Sequence, residues 1–175
     1  MPPTIGDGAQ AYESGPELWE MSFAGKTVVI GLGNPYMKDD GVGIHVAKRL
    51  RGLDPDRFFV YETQAMDMSL LWQFKDARRI VLVDAMRSGA EIGSVSKYAV
   101  RPREGPVTEV PGLHALQLFD LFDIVHQPGL IPCPLTIVGI EPKDCSPGEG
   151  LSEEIERAVP RAVDAVMTEL LADLS

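Results

Sequence analysis

Thr27-Val-Val-Ile-Gly-Leu32 is an unbroken apolar and β-branched run, and it leads into a turn dense in glycine and aspartate. A run with no polar alternation fits a strand buried on both faces, which demands helices on both sides of a sheet. The chain that follows supplies them. Val42, Val46, Leu50 and Leu53 recur at helical spacing with Gly43 and Ala47 beside them, so a helix is expected over about Asp40 to Gly52. Phe58 to Glu62 reads as a second strand. Met66 to Ala77 reads as a second helix, carrying Met68, Leu71, Trp72 and Lys75, and Arg79 to Asp84 as a third buried strand. Strands alternating with helices make right-handed βαβ units and a parallel sheet.

The rhythm then breaks. Between Asp84 and the strand expected over Ser94 to Val100 lies only a turn-rich stretch around Arg87-Ser88-Gly89-Ala90, too short for a crossover helix. The fourth strand is therefore expected to run antiparallel, at an edge. A loop over Arg101 to Gly112 leads to a helix over about Leu113 to Val125, and Leu135 to Ile140 forms the fifth strand. Ser152 opens the last helix, with Glu153 and Glu154 in its first turn where the dipole favours acids, and Pro160 is expected to kink it. Residues 1–24 lack a clean period and read as a flexible tail with a turn of helix near Pro16 to Met21. Residues 25–175 read as one α/β domain.

Charge narrows the partners. The 26 acidic residues against 16 Lys and Arg give a net charge of −10, which opposes binding to phosphate backbones. Cys133 and Cys145 form neither a disulfide framework nor a CxxC knuckle, and are expected as reduced thiols in a cytoplasmic protein. The first 25 residues show no signal-peptide pattern, and no apolar stretch approaches the ~20 residues needed to span a bilayer.

The turn Gly31-Leu-Gly33-Asn34-Pro35-Tyr36-Met-Lys-Asp39-Asp40-Gly41-Val-Gly43 admits three readings. A dinucleotide site has the right strand–turn–helix context, but Tyr36 replaces the third glycine and two carboxylates stand where a phosphate would rest. Peptidyl-tRNA hydrolases share Gly-Leu-Gly-Asn-Pro at the end of the first strand, but the Arg-His-Asn constellation that follows there is missing, and the charge is wrong for tRNA. The third reading takes the acids as a cation site, with a plain helix cap as the alternative for either Asp.

Asp84 ends an apolar strand, so it and Asp40 both follow carboxyl ends of strands, where the crevice of a parallel sheet lies. Alternatively, Asp84 fixes the next turn through the backbone. Asp39, Asp40 and Asp84 together are expected to turn that crevice toward a metal. His114 heads the helix after the Pro/Gly loop, where the dipole favours a neutral ring able to ligate. His126 ends its helix and suits the dipole as a cation, whereas His45 lies within the first helix. Asp, Asp and His offer an oxygen, oxygen, nitrogen set suited to zinc or nickel.

With these residues in place, the chain resembles the maturation endopeptidases of [NiFe] hydrogenases. That family has a Gly-x-Gly-Asn turn and an Asp-Asp/Glu-x-x-Gly helix start, matched by Gly31 to Asn34 and by Asp39 to Gly43. Its Asp after an apolar strand is matched by Asp84-Ala85 and its His by His114. Its Gly-Ile/Val-x-Pro is matched by Gly139-Ile140-Glu141-Pro142, and its last-helix opening by Gly150-Leu151-Ser152. The resemblance covers roughly Thr27 to Leu171.

It implies a three-layer α/β/α sandwich around a five-stranded, mostly parallel twisted sheet with one antiparallel strand, and metal ligands at Asp40, Asp84 and His114. It also implies an enzyme that removes the C-terminal extension of a hydrogenase large-subunit precursor after nickel insertion. Nickel then arrives with the precursor, zinc or another divalent cation could substitute, and no nucleotide is used. The chain is expected as a monomer away from membranes, with Asp40 the candidate catalytic base. A nickel-sensing chaperone without catalysis is the alternative. Two departures stand out. The family's Asp-Gly-Gly-Thr loop, associated with substrate choice, reads Glu62-Thr63-Gln64-Ala65-Met66 here, and Leu113 precedes His114 where the family often has a small or polar residue.

Overall fold

A computed structural model describes residues 17–100 and 132–172. The loop expected over Arg101 to Gly112, the helix over Leu113 to Val125, and His114 and His126 lie outside the described residues.

Strand β1 (Thr27–Leu32) is buried at every position, as its unbroken apolar run requires. Strands β2 (Phe58–Thr63), β3 (Arg79–Ala85), β4 (Val95–Val100) and β5 (Leu135–Ile140) join it in a five-stranded sheet of order β2-β1-β3-β5-β4. The pairs β1–β2, β1–β3 and β3–β5 are parallel, and β4 runs antiparallel to β5 at the edge. The short Met86–Ser94 connection enforces that direction, as the sequence implied.

The two faces of the sheet bury different sets. One face packs Val29, Val81, Val83 and Val138 against helix α1 (Val42–Arg49) and helix α3 (Glu153–Ala172). Val42 and Val46 of α1, and Ile155, Val159, Ala162, Val166 and Leu170 of α3, form the helical side of that layer. The other face packs Val28, Ile30, Ile80, Leu82 and Ile137 against Phe23, Leu71 and Phe74. The Phe23 ring packs tilted against Phe59 at 4.9 Å and edge-on against Phe74 at 4.8 Å, closing this core with aromatic edges.

Two helices are shorter than expected, and α1 is the first, beginning at Val42 rather than Asp40 and ending at Arg49. Helix α2 is shortened to Met68–Gln73: the Asp67 carboxylate caps it by accepting from the Leu70 N–H at 2.9 Å. Its C-terminal side then gives way to turns, through which Phe74 and Ala77 reach the core. Helix α3 continues through Pro160 without interruption. A single 3₁₀ turn, Leu18–Glu20, stands where a turn of helix was expected near the N-terminus. Among the described residues no helix is long and apolar enough to cross a membrane.

Strand order places the site. From β1 the chain steps outward to β2, then returns to β3 on the opposite side of β1. The order reverses between β1 and β3, and the crevice beyond their carboxyl ends is where open α/β sheets bind ligands.

Candidate active site at the carboxyl ends of β1 and β3

Two acids, one in the turn after β1 and one in β3, act on each other at this reversal point. Asp40 belongs to a 3₁₀ turn, Lys38–Gly41, that follows β1 and feeds α1. Asp84 lies in the last turn of pleat of β3, paired in register with Gly139 of β5 and sharing the face of Ile80 and Leu82.

Glycine makes the meeting possible. A Cβ on Gly43 would collide with the carbonyl oxygens of both Leu32 and Val83, so α1 can begin between the ends of β1 and β3 only without a side chain there. Gly33 has φ of +144°, and a Cβ there would collide with the Asp40 carbonyl oxygen. These approaches hold the turn with Asp40 down on the sheet.

Asp84 is 8% exposed, and among the described residues its Oδ1 accepts only the N–H of its neighbour Ala85, at 2.8 Å. Burial first, and then the negative charge of Asp40, drive its carboxyl well above the ordinary range, against the partial relief of the Ala85 N–H. Asp40 is half-buried and its Oδ2 accepts the Asn34 N–H at 2.8 Å. Neither acid of the Asp39-Asp40 pair caps α1, whose N-cap is Gly41 with no side-chain bond. Asp84 does fix its following backbone, and it also faces Asp40.

Asp39 does something different from the expectation that grouped it with the crevice. It is 0% exposed, and its carboxylate is taken up by the segment after β5 and the start of the last helix. Its Oδ2 accepts the N–H of Lys143 at 3.0 Å, the N–H of Asp144 at 2.8 Å and the Ser152 hydroxyl at 2.9 Å. Its Oδ1 accepts the Ser152 N–H at 2.6 Å. A buried carboxylate surrounded by donors is satisfied without a cation, so Asp39 is a brace. Lys38, in left-handed backbone with φ of 45°, adds to it through Nζ, which reaches Asp144 at 2.6 Å and Ser146 at 3.0 Å. The Lys38 ammonium and the Ser146 donors hold the Asp144 carboxyl below its usual range.

Cys145 sits in the braced segment. Burial raises its thiol above the ordinary value; the Arg87 charge and hydrogen bond oppose this, while Asp40 and Asp39 reinforce it. Cys133, under the other face of the sheet, is pushed up to about 11, chiefly by burial. Both are free thiols, and neither is activated as a nucleophile.

The acids do not by themselves complete a metal site. Among the described residues no group of three or more His, Cys, Asp and Glu side chains is arranged to hold a metal ion. The chemistry of the pair nevertheless suits a cation: two oxygen donors repel each other, one of them buried, and a positive charge relieves both costs.

Sequence reasoning missed two residues here. Glu141, in Gly-Ile-Glu-Pro, is a buried carboxylate that accepts the Ser88 N–H at 2.7 Å, the Ser88 hydroxyl at 2.6 Å and the Gly89 N–H at 3.3 Å. Burial works to raise its carboxyl, but these bonds outweigh it and hold it below the ordinary value. Asn34, whose N–H bonds to Asp40, is the other. Glutamate between a strand end and proline was the available signal.

Residues 44–169 match the family model described as hydrogenase maturation protease. The hydrogenase 2 maturation protease of Escherichia coli K12 is 26% identical over 149 residues, spanning 83% of this chain and 90% of that protein. The crystal structure of a hydrogenase 2 maturation peptidase from a Thaumarchaeota archaeon superposes with a TM-score of 0.62 at 26% identity, over 83% of this chain and 97% of that one. The hydrogenase maturating endopeptidase of Escherichia coli shares the fold, with a TM-score of 0.64 at 22% identity over 84% of this chain and 93% of that one.

Proposed function

The chain belongs to the hydrogenase maturation protease family and is a peptide hydrolase; from that premise we propose that it cuts the C-terminal extension from a [NiFe]-hydrogenase large-subunit precursor once nickel has been inserted. One observation supports the reading most: Asp84 is buried beside Asp40 at the strand reversal, an arrangement that disfavours two negative charges without a cation.

In this reading the cation is part of the substrate. Nickel held by the precursor meets Asp40 and Asp84, with His114 as the proposed third ligand, and supplies a positive charge that polarises the neighbouring peptide bond. The cation offsets the burial and the Asp40 charge that oppose ionisation of Asp84, so an empty precursor is bound weakly and a loaded one is held. Docking fixes the scissile bond against the crevice, and such positioning is worth ~7–11 kcal/mol in ideal intramolecular cases. Asn34 occupies one oxygen of Asp40. The other oxygen is the proposed base for the attacking water. The braced turn keeps that carboxylate in place without help from the substrate.

The test is to mix the protein with nickel-loaded and nickel-free precursor and follow the mass of the large subunit. Cleavage of the loaded form only, lost in Asp40→Ala and Asp84→Ala, supports the proposal. Binding without cleavage would make the protein a nickel-sensing chaperone instead. Cleavage that survives replacement of Asp40, Asp84 and His114 together would reject the site.

A further inference from the structure

We propose that Asn34 is a catalytic residue, whose side-chain amide donates to the scissile carbonyl oxygen as negative charge forms there; the inference rests on the peptidase reading above. Asn34 is the single asparagine among 175 residues. It stands two positions beyond the end of β1, at the strand reversal. There β1 runs in register with β3 up to Gly31 and Val83, one residue short of Asp84. The Asn34 N–H donates to Asp40 Oδ2 at 2.8 Å, so this residue touches the proposed base directly.

The rest of the residue is held as well. Its Oδ1 accepts the Tyr36 N–H at 2.9 Å, and its carbonyl accepts the Met37 N–H at 3.0 Å. Pro35 confines the Asn34 backbone to extended conformations. An N–H can only donate, so the oxygen of the amide must face Tyr36 and the NH₂ must face elsewhere. That NH₂, on a half-buried side chain, has no acceptor among the described residues.

The turn itself has no need of it. Asp54 makes the same turn, its Oδ1 accepting the Asp56 N–H at 3.0 Å, and Asp144 makes it again with the Ser146 N–H at 2.8 Å. A chain with 26 acidic residues builds these turns with aspartate, and the exception stands beside Asp40. An amide differs from a carboxylate there in two ways: it adds no third negative charge, and it donates. A peptide bond under attack calls for the donor. The attacking water bonds the carbonyl carbon and gives a proton to Asp40, while the C=O π pair moves onto the carbonyl oxygen. Nδ2–H donates to that oxygen, and a donor fixed in advance costs no reorganisation during the step. Collapse returns the pair to carbon and breaks the C–N bond, and the leaving amine takes the proton from Asp40.

The experiment measures single-turnover cleavage of nickel-loaded precursor and, separately, its Kd. Asn34→Ser is neutral and its hydroxyl can accept the Tyr36 N–H, so turn and charge are kept while the amide is lost. Asn34→Asp keeps the turn in the manner of Asp54 and Asp144. Both variants should cut about 100-fold more slowly, with Kd for Asn34→Ser within about threefold of wild type. Their urea midpoints report that both are folded. Asp54→Ser, which alters the same kind of turn at the amino end of β2, should cut at the wild-type rate. An unchanged rate in Asn34→Ser overturns the inference, because asparagine would then serve only to build the turn without a third charge. A weaker Kd at an unchanged rate overturns it too, since the amide would then hold the precursor equally before and during the cut. Wild-type protein that leaves loaded precursor uncut rejects the peptidase reading and the inference with it, whereas wild-type cleavage matched by Asn34→Ser rejects the inference alone.

Discussion

Asp39 and Ser152 lie 113 positions apart in sequence and are joined twice, Ser152 N–H to Oδ1 at 2.6 Å and Ser152 Oγ–H to Oδ2 at 2.9 Å. The residue next to the proposed base is thereby fastened to the start of the last helix. Asp39→Ala should leave four donors without their acceptor, two on Ser152 and one each on Lys143 and Asp144. We expect a loss of about 3 kcal/mol or more in unfolding free energy, seen as a lower urea midpoint at unchanged m-value.

Asp84 should show the opposite sign. Its folded carboxyl titrates above its unfolded value, so the folded state binds the extra proton and stability falls as pH rises from the ordinary carboxylate value toward the raised one. Asp84→Asn removes that loss. The variant should be more stable than wild type at pH 7, the difference should shrink toward pH 4, and precursor cleavage should be abolished. Paired urea titrations at the two pH values measure it. A wild type at least as stable as Asp84→Asn at pH 7 would contradict the buried, repelled carboxylate.

Gly43→Ala should disrupt both fold and site. The added methyl meets two backbone carbonyls that cannot rotate away, so α1 must lift from β1 and β3 and carry the Asp40 turn with it. A cost of about 3 kcal/mol, at the upper end for overpacking, is expected in thermal unfolding, together with loss of cleavage.

The thiols should differ from an activated cysteine. With Cys133 pushed up to about 11 and Cys145 also raised, both are protonated at pH 7.5. Iodoacetamide should label half-buried Cys145 slowly and buried Cys133 only after unfolding, as read by intact mass. Rapid labelling of Cys145 in the native protein would mean that Arg87 outweighs the burial and the two acids.

How much of this was legible in the sequence depended on where each residue finds its partners. Strands β1 and β5 match their expected limits to the residue, because burial on both faces leaves an unbroken apolar signature. The antiparallel edge strand followed from chain length alone. Helix α2 was overextended because Leu71 and Trp72 continue the helical spacing, yet Trp72 is 45% exposed and Phe74 reaches the core from a turn. Asp39 and Asp40 are chemically identical neighbours with opposite tasks, and no local pattern separates them: the donors that claim Asp39 are supplied by Lys143, Asp144 and Ser152. Glu141 was invisible for the same reason, since Ser88 is distant from it in sequence.

The tie between Asp39 and Ser152 also sets an order in time. Synthesis runs from the amino end, so a nascent chain that has emerged only as far as Leu151 already contains Asp40 and Asp84 but lacks one end of the brace. The turn that carries Asp40 gains its last two fasteners when the final helix begins to leave the ribosome. A chain cut short before Ser152 would keep both acids of the crevice and leave the Asp40 turn without those two fasteners.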